Sequence, residues 1–178
     1  MEEKKSFREI CLKKLKKAQI RGSYVKDKML ISRIERYLKD NNAQYILLYL
    51  PLKMEVNLYP LIRKLRREKK IIYVPFMEGA SFRLVKYRLP LKKKQFGIKE
   101  PYDSKQYRNK KIDVAIVPIV GVDSTLRRLG FGKGMYDRFF EKEYKNINRV
   151  VFVARELCYS KKVITNHYDV RADNIITP

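Results

Sequence analysis

The sequence predicts an α/β fold: a single-domain, three-layer α/β/α arrangement with a mostly parallel central sheet. Two observations carry this. Apolar runs of strand length at residues 44–50 (QYILLYL), 71–74 (IIYV), 113–120 (DVAIVPIV) and 149–154 (RVVFVA) are separated by amphipathic stretches, the pattern of strand–helix–strand crossovers. No internal repeat or low-complexity linker divides the chain, so both crossovers are expected in one sheet covered by helices on both faces. The 178 residues suit one domain and are too few for a kinase or a two-domain dehydrogenase.

Phe7, Ile10, Cys11, Leu15 and Ala18 lie on one helical stripe and predict an N-terminal helix that closes near Gly22. Ser6 followed by Glu9 has the form of a capping box, which would begin that helix at Ser6 and leave Lys4 outside it. Ile31, Ile34, Tyr37 and Leu38 predict a second helix, fading at Asp40, Asn41 and Asn42. The N-terminal helices thus occupy about 3–41 and the α/β core about 44–178. In that core the strand at 44–50, a helix marked by Leu58, Leu61, Ile62 and Leu65, and a strand at 71–74 ended by Pro75 form a right-handed parallel crossover. Phe82 and Leu84 with polar neighbours predict a strand of mixed environment. Pro90 and the lysines at 92–94 predict an exposed loop reaching Gly97 and Pro101. The strand at 113–120 leads through a glycine-rich loop into a helix across 137–144 and the strand at 149–154, a second crossover. A polar turn around His167 and an edge strand at Ile175 and Ile176 close the chain.

With 45% hydrophobic and 12% aromatic residues, the chain can offset the entropy of folding. Its longest apolar stretch, 45–52 with Pro51 inside it, falls short of the ~20 residues a membrane helix needs, and the start MEEKKSFREI is too charged for a signal peptide. The expected location is the cytoplasm. Cys11 and Cys158 are too few and too far apart for a disulfide framework or a thiolate metal site, and they read as packing residues. The single histidine leaves no zinc cluster, so metal chemistry would need carboxylates and a hard cation such as magnesium. Subtracting 19 acidic from 42 basic residues gives +23, which attracts anions within a Debye length of ~8 Å. The dense runs at 13–17 and 63–70 carry apolar residues at helical spacing and decorate the wet faces of amphipathic helices.

Gly130, Gly132 and Gly134 alternate in RLGFGKGMYDR, after the most apolar strand and before a helix. There, backbone N–H groups converge in a concavity and the helix dipole adds its positive end, which suits phosphate oxygens. Lys133 and the Arg127, Arg128 pair are expected to supply mobile positive charge beside it. The spacing is not GxxxxGK[ST], and no Ser or Thr follows to hold magnesium; on spacing alone, a generic glycine-rich turn is the plain alternative. Asp137, next in line, suits either a phosphate-bridging cation or a helix dipole.

RLGFGKGMYDR resembles RLGxGxGYYDR, the signature of the 5-formyltetrahydrofolate cyclo-ligase (methenyltetrahydrofolate synthetase) family. The similarity extends through YLPLKMEVN at 49–57, FGIKEP at 96–101 and HYDVRADNIIT at 167–177. The resemblance implies ATP binding by Arg128, Leu129, Gly130, Phe131, Gly132, Lys133, Gly134, Met135 and Tyr136. It implies that Lys4 and Arg8 reach the nucleotide phosphates, and a spacing of four would put them on one face of a helix begun before Ser6. Magnesium is implied on Asp137 and Asp173, and folate contacts by Leu50, Glu55, Phe131, Gly132, Lys133, Gly134 and Met135. Three positions depart from the family pattern: Leu126 and Ile119 stand where glycines are usual, and Met135 replaces the first aromatic of YYD. These bear on substrate affinity more than on reaction type.

The implied reaction is the ATP- and magnesium-dependent conversion of 5-formyltetrahydrofolate to 5,10-methenyltetrahydrofolate with release of ADP and phosphate. Phosphorylation makes the formyl oxygen a leaving group, and N10 then closes the ring. Lys133 and Arg128 are expected to neutralise charge during phosphoryl transfer, and Glu55 to accept pterin N–H bonds. The expected partners are ATP and the folate, with or without a polyglutamate tail, and no membrane; the expected state is a monomer. The rival reading is a basic RNA-binding module gripping backbone phosphate. The +23 charge allows it, but the 13 tyrosines are dispersed rather than grouped as a base-stacking face.

Overall fold

The computed structural model describes residues 2–94, 97, 99–102 and 111–178. Two helices open the chain, α1 (Glu2–Ile20) and α2 (Ser23–Asp40). Then come β1 (Tyr45–Leu47), α3 (Tyr59–Arg67), β2 (Ile71–Glu78), β3 (Ser81–Lys86), β4 (Leu91–Lys93) and β5 (Lys99–Pro101). The second half holds β6 (Ile112–Pro118), β7 (Gly121–Val122), β8 (Arg128–Leu129), α4 (Met135–Glu143), β9 (Ile147–Val153) and β10 (Asn174–Ile176). The main sheet has the order β10-β9-β6-β1-β2-β3. All neighbours run parallel except β2 and β3.

Alternation along the strands produces the three layers, because successive side chains point to opposite faces. Leu47, Ala115, Val117, Val150 and Phe152 pack with Cys11 and Leu15 of α1 and Phe139 and Phe140 of α4. Their neighbours Ile46, Val114, Ile116, Val151 and Val153 pack on the other face with Leu30, Ile34 and Leu38 of α2 and Leu61, Ile62 and Leu65 of α3. The expected mostly parallel α/β/α fold is present, with both crossovers and the short final edge strand. No helix among the described residues is long and apolar enough to cross a membrane.

Several local expectations are corrected. Helix α1 already includes Glu2, so Ser6 is interior and caps nothing; Lys4 lies on the helix and is held by a partner distant in sequence, described below. Strand β2 continues through Pro75 to Glu78. Beyond Tyr73 it is in register only with β3, so a residue lacking an N–H is tolerated there. The lysine-rich stretch after Pro90 is not simply a loop: β4 and β5 form an antiparallel ribbon, anchored where buried Glu100 accepts a 2.9 Å hydrogen bond from the Met77 amide. Of the segment at 96–101, residues 96 and 98 lie outside the described residues. Cys11 and Cys158 are joined as a disulfide with Cα atoms 5.5 Å apart, tying α1 to the segment after β9. A separation of 147 positions in sequence sets no limit on proximity in the fold.

Candidate active site

Chain direction across the sheet reverses between β1 and β6: β1 leads outward to β2 and β3, and β6 to β9 and β10. In open parallel sheets the crevice at the carboxyl ends beside such a reversal is where ligands settle. Residues 48–58 leave β1 there, and the glycine loop follows β6 through the small antiparallel ribbon of β7 and β8.

Arg128 is the hub. Its side chain is 5% exposed, and Nε donates to the Pro118 carbonyl at 3.0 Å. The guanidinium lies 4.7 Å from the centre of the Tyr136 ring and 4.0 Å from Asp137 Oδ2. Burial opposes its charge, while Asp137, Tyr136, Glu55 and Asp169 around it act in the other direction. The expected mobile arginine is therefore a fixed one. Arg127 is also held, donating through Nη1 to the carbonyls of His167 at 3.1 Å and Asp169 at 2.9 Å, which fastens the C-terminal turn. Lys133 is exposed on the loop.

The glycines have separate reasons. A Cβ on Gly130 would meet the Arg128 guanidinium at 2.4 Å, so the arginine can fold back only over a glycine. Gly132 and Gly134 have φ of +96° and +61°, where side chains are disfavoured. Leu126, at a position where the sequence pattern favours glycine, has φ of +58° and keeps the left-handed turn despite its side chain. Among the described residues no side chain caps the α4 N-terminus, and the positive end of its dipole faces the glycine loop that precedes it. Arg138 donates to the carbonyls of Lys133 and Ala80, and Ser81 Oγ to the Met135 carbonyl at 3.2 Å, so the β2–β3 turn braces the loop. Leu129 is fully buried; Phe131, Met135 and Tyr136 are partly buried against the α1–α4 core.

Helix α1 reaches this loop. Arg8 Nε donates to the Gly130 carbonyl at 2.9 Å, with its guanidinium beside Gly132. One turn earlier Lys4 Nζ lies 2.6 Å from Asp169 Oδ2 in the C-terminal turn. The i, i+4 pair thus faces the glycine loop and tail together.

On the β1 side, Glu55 is turned inward, with Oε2 accepting from the Leu52 amide at 2.8 Å. Burial pushes its carboxyl up to about 7, against the lowering effects of the Leu52 bond and of Arg128 and Arg155. Leu50 is buried in the α2–α3 layer, so Glu55 is the more available of the two expected folate contacts. Buried Tyr49 stands nearby, its hydroxyl donating to the Val56 carbonyl at 3.2 Å, and burial, Glu55 and Tyr136 raise its pKa.

Asp137 and Asp173 are placed differently. Asp137 Oδ1 is buried and has no hydrogen-bond partner among the described residues, an arrangement that suits a hard cation. Asp173 Oδ2 accepts from the Val150 amide at 2.7 Å, beside Tyr37 and Arg149 at the sheet edge. Val150 precedes by three positions, or ~10 Å of strand, the Val153 that is in register with Pro118. Asp173 is thus engaged with the β9 backbone, whereas Asp137 lies beside Arg128 at the glycine loop. No group of three or more His, Cys, Asp or Glu suited to a metal occurs among the described residues.

Sequence reasoning missed Tyr49, Asp169, Arg138 and a buried Asp27–Arg155 pair. Asp27 had a signal: with Leu30, Ile34 and Leu38 it lies on the buried stripe of α2, and an acid on an apolar stripe implies a buried partner. It also missed Asp123, whose carboxylate takes bonds from Thr125, Thr165 and the Ile164 amide. Burial alone would raise its pKa, but these bonds hold it well below the usual carboxylate range. His167 is an exposed turn residue, as expected.

The sequence matches the 5-formyltetrahydrofolate cyclo-ligase family over residues 1–178. It is 27% identical over 146 residues to a 5-formyltetrahydrofolate cyclo-ligase of Haemophilus influenzae, covering 78% of each chain. A protein of the same name from Escherichia coli (strain K12) is 24% identical over 148 residues, covering 76% of this chain and 79% of that one. Among solved structures, an Aquifex aeolicus 5,10-methenyltetrahydrofolate synthetase superposes with a TM-score of 0.77 at 28% identity, over 98% of this chain and 89% of that one. A Mycoplasma pneumoniae synthetase shares the fold, with a TM-score of 0.71 at 20% identity and 97% coverage of both.

Proposed function

Because the chain belongs to the 5-formyltetrahydrofolate cyclo-ligase family, we propose that it uses ATP and magnesium to convert 5-formyltetrahydrofolate to 5,10-methenyltetrahydrofolate. The observation that carries the reading is the convergence on buried Arg128 of a phosphate-type cradle and an inward carboxyl. The cradle is the glycine loop with Arg8 and the uncapped α4 N-terminus; the carboxyl is Glu55 at the end of β1.

In this reading the ATP phosphates lie on the loop amides, with Arg8, Lys4, Arg128 and Lys133 as countercharges. Lys4 reaches them by exchanging part of its contact with Asp169. Glu55, when ionised, accepts N–H bonds from the pterin and turns the formyl oxygen toward the γ-phosphate. The oxygen attacks phosphorus as the bond to ADP breaks; N10 attacks the activated carbon, its proton passes to the departing phosphate, and the C–O bond breaks to release that phosphate. Arg128 and Lys133 stabilise charge spreading over the transferred group, and the pinning of Arg128 to Pro118 spares reorganisation during the step. Asp137 would hold the magnesium through its unpartnered Oδ1. Magnesium there supplies Lewis-acid neutralisation of phosphate oxygens.

The test mixes the purified protein with 5-formyltetrahydrofolate, ATP and magnesium and follows the methenyl chromophore. ATP-dependent product that disappears with a chelator is expected; no product at high enzyme concentration refutes the reading.

A further inference from the structure

The Asp27–Arg155 pair lies outside the nucleotide cradle and takes no part in the chemistry above. Asp27 projects from α2, and Arg155 follows β9. They form a two-point bridge, Nε to Oδ1 at 2.7 Å and Nη2 to Oδ2 at 2.8 Å, with side chains only 11% and 6% exposed. Breaking so buried a pair leaves an uncompensated charge, so it acts as a rigid post. Each partner has a donor or acceptor left over, and both go to the same loop. Arg155 Nη1 donates to the Lys53 carbonyl at 3.0 Å, and Asp27 Oδ2 accepts from the Asn57 amide at 3.2 Å. Lys53 and Asn57 lie two residues to either side of Glu55. The pair therefore clamps the backbone on both flanks of that carboxyl and joins it to both α2 and the end of β9.

We propose that Asp27 and Arg155 are positioning residues that aim Glu55 at the pterin and thereby set folate recognition independently of the nucleotide. The inference rests on the proposed folate role of Glu55. The charged and titratable groups around Glu55 are Arg155, Arg128, Tyr49 and Tyr136. Arg155 also favours the ionised form of Glu55. A lysine at 155 keeps the charge but lacks the planar fork needed to hold Asp27 and the Lys53 carbonyl together.

The test uses the full chain as Arg155→Lys and as the double variant Asp27→Asn, Arg155→Met, which leaves no unpaired buried charge. For each, KM is measured separately for 5-formyltetrahydrofolate and for ATP, and the Glu55 carboxyl is titrated by NMR. Both variants are expected to raise KM for the folate roughly tenfold, the cost of a lost charge-assisted bond, with KM for ATP changed less than about twofold. The Glu55 titration should move to higher pH in the double variant and stay near wild type in Arg155→Lys. Equal changes in both KM values, or an unmoved Glu55 titration in the double variant, would overturn the inference. If the wild-type protein shows no turnover, the functional reading fails instead, and the titration still decides whether the pair governs Glu55.

Discussion

Glu55 offers a prediction that needs no substrate. Its carboxyl, ordinarily near 4.5, is raised to about 7, and burial is the largest cause. The unfolded chain therefore releases this proton before the folded protein does. Below about 4.5 both states hold it and the site costs nothing. Between about 4.5 and 7 the unfolded state binds fewer protons, so stability falls as pH rises; above about 7 both are ionised and the loss is complete. At about 1.4 kcal/mol per pKa unit, the gap amounts to about 3 kcal/mol. Glu55→Gln keeps an oxygen for the Leu52 amide but cannot ionise, so it should be up to about 3 kcal/mol more stable than wild type at pH 8 and nearly equal at pH 4.5. Urea unfolding of both proteins at intervals across this range measures the difference. A wild-type-to-variant difference that does not change with pH would refute the argument, since it would mean that Glu55 titrates alike in both states.

Asp137→Asn should lower kcat by about a hundredfold or more while moving the thermal transition by no more than a few degrees; unchanged turnover would remove Asp137 from the metal site. Gly130→Ala should push the Arg128 guanidinium from its place, lowering stability by about 1–3 kcal/mol and raising KM for ATP, measured by urea unfolding and steady-state kinetics. Leu126→Gly should raise stability by up to about 1 kcal/mol by relieving the left-handed backbone at φ +58°, less whatever the added freedom of the unfolded glycine takes back; destabilisation would show that the half-exposed leucine packs better than its backbone suffers.

The layers could be read from the chain because burial on both faces writes itself as uninterrupted apolar runs, and a helix beside them as a stripe. Residues 113–120 and the α2 stripe are instances, and the observed strand and helix fall on them. The glycine loop was equally legible, since its turns need particular residues at particular positions. Boundaries were less so: Pro75 and Ser6 carry strong local signals, and both were overruled by pairing with β3 and by the docking of α1 on the tail.

Local chemistry along the chain settled the fold class, the loop and the family resemblance. Which charged groups meet was settled by folding, because Coulomb and hydrogen-bond contacts act over a few ångströms irrespective of position in the chain. Lys4 with Asp169, Cys11 with Cys158, and Asp27 with Arg155 are each separated by more than a hundred residues. Asp173, by contrast, meets the Val150 amide only 23 positions away. The mobile arginine expected at 128 became a fixed, buried cation for the same reason: the Tyr136 ring, the Pro118 carbonyl and Gly130 close around it and exclude the water that would have let it move.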